Sequence, residues 1–175
     1  GDNIWSFDIE KETWELAGTR TPYECDESWF FDGKRELLVF PMRRDRKKNS
    51  PMIGFGVYDP KKKEFRKLDA KRPFPGKVGG GNDEWVYDVG NDLYFGWGSR
   101  SGNENWTFDP KSGRWKQLLP EKNIPVRKQL HWKLEYDVKN KLIVVCRQEK
   151  GAGQWFALRF EPKRAKFAER SVPPG

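Results

Sequence analysis

The sequence predicts an all-β fold, on three grounds. One hairpin recurs four times, as Phe7-Asp8 to Trp14, Tyr58-Asp59 to Phe65, Phe108-Asp109 to Trp115 and Phe160-Glu161 to Phe167, always with seven residues from aromatic to aromatic. Its acidic members stand 51, 50 and 52 residues apart, the mark of a chain built from one repeated supersecondary unit. A second hairpin is interleaved with the first: Phe31-Asp32 with Leu37, Tyr87-Asp88 with Leu93 and Tyr136-Asp137 with Leu142, five residues from Asp to Leu each time. No stretch of useful length carries the 3.6-residue periodicity of an amphipathic helix. Four antiparallel strands repeating about every 50 residues read as the blades of a β-propeller, and the chain holds about three and a half of them, a partial or open ring.

Along the chain, residues 3–16 supply only the outer hairpin of a blade. Complete blades are expected at 26–69, 82–119 and 130–171, all within a single domain spanning 1–175. The outer hairpins turn through Pro60-Lys61-Lys62-Lys63, Pro110-Lys111-Ser112-Gly113 and Pro162-Lys163-Arg164-Ala165, and the residues before each turn alternate as a half-buried strand should. The inner hairpins carry short continuous apolar runs, Leu37-Leu38-Val39-Phe40 and Leu142-Ile143-Val144-Val145, which marks strands buried on both faces. Val78-Gly79-Gly80-Gly81 has no Gly-Lys-Thr ending and no helix pattern after it, so it reads as a linker between blades, not a phosphate loop. Closed propellers usually hold about four to eight blades. Completion of this ring is expected from further blades on a longer chain, from self-association of two halves, or from closure as a small irregular four-bladed ring.

Composition narrows the chemistry. With 34 Lys and Arg against 26 Asp and Glu the net charge is +8, which favours acidic partners. Only 35% of the residues are hydrophobic, yet 9 Trp, 5 Tyr and 12 Phe provide enough buried area for a core. The longest apolar run, Leu142 to Cys146, is far too short to cross a bilayer, and no export signal opens the sequence, so no membrane partner is expected. Cys25 and Cys146 lie far apart without CxxC spacing and read as free thiols, which leans toward a reducing, cytoplasmic compartment. His131 is the only histidine. One imidazole cannot build a His-rich zinc or copper site, and no Gly-x-Ser-x-Gly turn accompanies it for a nucleophilic triad. No cofactor, metal or catalytic residue is therefore assigned, and no enzyme of recognisable type.

The aromatic-Asp pair followed by a Pro-rich turn and a Trp resembles the kelch repeat, with Ile124-Pro125-Val126-Arg127 and His131 similar to its inter-blade lead-in and Gly96 and Gly98 similar to its glycines. The resemblance covers nearly the whole chain. It implies a propeller whose strand lead-ins and second-to-third-strand loops share one rim, used for binding protein partners.

That rim collects the candidate residues. The lead-ins bring Asp83, Glu84 and His131; the loops bring Arg43, Arg44, Arg46, Lys47 and Lys48, then Arg100, then Arg147. The run from Met42 to Asn49 is the densest charge cluster and suits charge-assisted hydrogen bonds to an acidic surface. Trp29 and Trp85 occupy equivalent positions three residues before the blade Asp and read as packing between blades. Trp97 and Trp155 break that regularity and are expected at contact surfaces. Asn105-Trp106-Thr107 satisfies a glycosylation sequon inside a predicted strand. The leading expectation is a protein-binding scaffold whose basic rim meets an acidic or mixed-charge partner. The alternative is a glycan-binding or carbohydrate-acting propeller with carboxylates and tryptophans lining a sugar cleft. Nucleic acid, favoured by charge alone, ranks third.

Overall fold

A computed structural model describes residues 3–19, 21–23, 25, 28–43, 52–71, 74, 84–98, 104–119, 132–149 and 152–168. Every regular element among them is a strand, and all pairing is antiparallel. β1 (Ile4–Asp8) and β2 (Thr13–Gly18) form a two-stranded sheet. β3 (Phe30–Asp32), β4 (Leu37–Arg43), β5 (Met52–Asp59) and β6 (Glu64–Lys67) form a four-stranded meander. β7 (Glu84–Asp88), β8 (Leu93–Gly98), β9 (Glu104–Asp109) and β10 (Arg114–Leu119) form a second. β11 (Trp132–Asp137), β12 (Leu142–Glu149) and β13 (Ala152–Leu158) form a three-stranded sheet, while β14 (Lys166–Ala168) adds to the outer edge of β10.

One local device makes the hairpins. Asp8, Asp32, Asp59, Asp88, Asp109 and Asp137 each end a strand, and their Oδ1 atoms accept backbone N–H groups two or three residues on, such as Lys34 and Arg35 on Asp32 or Lys111 and Ser112 on Asp109. Four residues after each aspartate the backbone turns left-handed, at Glu12, Glu36, Lys63, Asp92, Gly113 and Lys141, with φ between 53° and 66°. A short acidic side chain satisfies the turn's own amides and so fixes the reversal and the register of both strands.

The fourth copy of the outer hairpin departs from the expectation. Glu161 stands where the others have Asp; its carboxylate reaches Arg164, not the turn amides, and Ala165 is absent from the left-handed positions. The segment keeps the backbone bond of the Asp109 turn, Ala165 donating to the Glu161 carbonyl at 2.9 Å as Gly113 does to that of Asp109 at 2.8 Å, and adds one from Arg164 at 3.0 Å. Released from β13, β14 pairs with β10 through Gln117↔Ala168, Leu118↔Phe167 and Leu119↔Lys166.

The sheets stack face to face around two cores. Leu37, Val39, Phe55 and Val57 of the β3–β6 sheet meet Trp85, Tyr87, Tyr94, Trp106 and Phe108 of the β7–β10 sheet, with Phe74 wedged between them. Phe55 is the hub: its ring lies 4.9 Å from Trp85, 5.3 Å from Tyr94 and 5.4 Å from both Phe108 and Trp115. Each aromatic buried this fully contributes roughly 1.5–3 kcal/mol. Val86, Phe95, Trp97 and Leu118 on the opposite face meet Leu134, Ile143, Val145 and Phe160 in the second core. Gly96 lets the Trp85 ring cross the sheet, since a Cβ there would lie 2.4 Å from it. The β1–β2 hairpin rests on the remaining face of the β3–β6 sheet, where Tyr58 Oη donates to the Ala17 carbonyl.

Candidate functional site

Antiparallel order sends the starts of β3, β7 and β11 and the ends of β4, β8 and β12 to one rim, and the inner aspartate turns to the other. Four nominated residues occupy strand positions at the first rim. Arg43 closes β4, half-buried; Glu84 opens β7 directly opposite Trp97 of β8; Arg147 of β12 stands opposite Trp132. Asp83, Arg44, Arg46, Lys47, Lys48, Arg100 and His131 lie outside the described residues, as does most of the basic run. Trp97, expected at a contact surface, is 2% exposed and belongs to the second core. Its cross-strand pairing with Asn105 puts it on the face turned toward the β11–β13 sheet, where its area is buried. Trp155 on β13 is 69% exposed, and Trp29 stacks on Phe40 at 4.5 Å.

Between β3, β7 and β11, the first strands of their sheets, lies a cavity of about 530 Å³. It runs from Trp29, Glu84 and Lys133 at the first rim to Gly33, Val89 and Val138 at the turn end. Three of its apolar lining residues, one from each sheet, present large open surfaces: Phe31 is 55% exposed, Val89 46% and Val138 66%. Composition does not single these residues out. The available signal was positional, because Val89 and Val138 follow the blade aspartates directly.

Charges bracket the groove. At the first rim Lys133 Nζ pairs with Glu84 Oε1 at 3.1 Å. At the turn end the buried Asp32 carboxylate accepts Tyr94 Oη at 2.7 Å and Arg35 at 2.8 Å, and Arg35 also reaches Asp92 at 2.8 Å, clamping two sheets together. Burial raises the Asp92 carboxyl, but hydrogen bonds from Arg35, Lys34 and Tyr87 outweigh it and hold it at about 2. Burial and the Asp32 charge push the Tyr94 phenol up. Both acids of this clamp are spent on structure. Among the described residues no three His, Cys, Asp or Glu side chains converge as metal ligands. The arrangement offers an apolar groove beside a charged rim, with room for a protruding apolar side chain.

Comparison with known proteins places the architecture. No protein-family model matches the chain, and no curated protein matches it. Among solved structures it is similar to TolB from Acinetobacter baumannii, with 12% identity and a TM-score of 0.53 over 94% of this chain and 36% of that one. The chain therefore spans about a third of the TolB chain. TolB is of β-propeller type, and this likeness together with the all-antiparallel sheets gives the protein a propeller-like fold.

Proposed function

We propose that this chain is a protein-binding scaffold module of kelch-like propeller type, whose first rim and axial groove together receive an acidic or mixed-charge partner. The observation that carries the reading is the convergence of exposed Phe31, Val89 and Val138 from three separate sheets on one groove. A contiguous apolar lining beside polar residues is where a partner's anchor side chain finds most of its binding free energy. The basic residues Arg43, Arg44, Arg46, Lys47 and Lys48, with Arg100 and Arg147, supply the charge that steers an acidic segment toward it.

Selection from a random peptide library tests this. Recovered peptides should share one large apolar residue flanked by Asp or Glu. Phe31→Asp or Val138→Asp should weaken them at least about tenfold, and reversing Arg43, Arg44 and Arg46 should weaken them while flattening the salt dependence. Peptides without acidic residues, or affinities indifferent to all these changes, would overturn the reading. Tryptophan fluorescence that responds to oligosaccharides but not to the selected peptides would favour the glycan alternative instead.

A further inference from the structure

The β1–β2 hairpin has a bare face. Its register sets Trp5 opposite Leu16 and Phe7 opposite Trp14, so all four point the same way, and they are 55%, 43%, 44% and 66% exposed in that order. The same hairpin elsewhere in the chain shows what belongs there. Phe7 and Trp14 correspond to Phe108 and Trp115 of β9 and β10, seven residues apart around the same aspartate turn. Phe108 is fully buried and Trp115 partly so, because Phe55 of the preceding sheet packs on both at 5.4 Å.

At the far end of the chain the complementary half is also bare. Phe55 pairs with Pro41, four residues beyond Leu37; the same count from Leu142 reaches Cys146, which pairs with Trp155. Trp155 therefore holds the register position of Phe55, on a face alternating with the buried Leu134 and Val145, and it is 69% exposed. Charge complements shape. Residues 4–18 carry Asp8, Glu10, Glu12 and Glu15 against Lys11, whereas residues 132–168 carry nine Lys or Arg against four Asp or Glu.

We infer that a second copy of this chain docks head to tail, the outward face of its β11–β13 sheet covering the β1–β2 hairpin with Trp155 against Phe7 and Trp14. The contact repeats the one already made between the β3–β6 and β7–β10 sheets. It is heterologous, so two copies that each use both ends close on themselves as a ring.

Light scattering across 1–100 µM protein tests the contact. The expected result is a mass of twice one chain that falls toward one chain on dilution and in high salt. Trp14→Glu and Trp155→Glu, both at exposed positions, should each raise the dissociation constant at least about tenfold. An equimolar mixture of the two variants should recover a paired species, because each keeps the half the other has lost. Larger assemblies with the same dependence on both tryptophans would uphold the contact as well. A single-chain mass at 100 µM would overturn it, as would pairing that survives Trp155→Glu, the signature of two N-terminal hairpins meeting each other.

Discussion

Lys63 adopts a φ of 55°, and Lys141 does the same in another hairpin. Left-handed backbone costs a residue with a Cβ roughly 1 kcal/mol or more, and here the aspartate four positions earlier supplies the compensating hydrogen bonds. Lys63→Gly or Lys141→Gly should therefore raise stability by about 0.5–1 kcal/mol, visible as a higher urea midpoint with an unchanged slope. Gly113 is the converse case. It combines a φ of 66° with a site where a Cβ would lie 2.8 Å from the Asp69 carbonyl, so Gly113→Ala should lower stability by at least about 1–2 kcal/mol in the same measurement. Asp109→Ala removes the bonds to the Lys111 and Ser112 amides and to Ser112 Oγ, with an expected loss of about 1–2 kcal/mol.

Between elements, the Asp32–Arg35–Asp92 clamp carries a pH signature. Asp92 titrates at about 2 in the folded chain against an ordinary value of 3.8. Its contribution is complete above about pH 4 and fades as the pH falls toward 2, amounting to about 2 kcal/mol. The stability difference between the wild type and Asp92→Asn should accordingly be present at pH 7 and be lost as the pH falls through about 2. The spacing of aspartates and aromatics made six of the hairpins legible, because an Asx turn is a local event written in a few adjacent residues. The seventh departs from that pattern since Glu161 mimics Asp in charge but not in reach, and β14 finds its partner 47 to 51 residues upstream, a choice no local pattern records. Trp97 was misplaced for a related reason: irregular spacing says nothing about which face of a strand is covered.

On the scale of the molecule, sheets that pack only on their neighbours derive their stability from those contacts, so a sheet covered on one face is weaker than one covered on both. The β7–β10 sheet carries a core on each of its faces. Native-state hydrogen exchange should show β7–β9 among the slowest-exchanging amides and β1–β2 among the fastest, with the latter slowed at concentrations that favour pairing of copies. The basic run from Met42 to Asn49 stands out as a run of letters, but the groove does not. Phe31, Val89 and Val138 are distant in sequence, and only the stacking of three sheets makes them one surface.

β14 changes what kind of object the last sheet is. By leaving β13 and binding β10, it threads the final segment back across the junction between two sheets, with Phe167 lodged beside Leu118 and Lys116 reaching over its ring. A simple stack can shed its terminal unit alone, like the last coin of a roll. Here the β11–β13 sheet cannot peel away until three strand residues have first let go of its neighbour, so the junction acts as a latch and the two sheets should melt as one unit. A chain ending at residue 160 should lose that latch, and with it gain an additional early transition in calorimetry that the longer chain does not show.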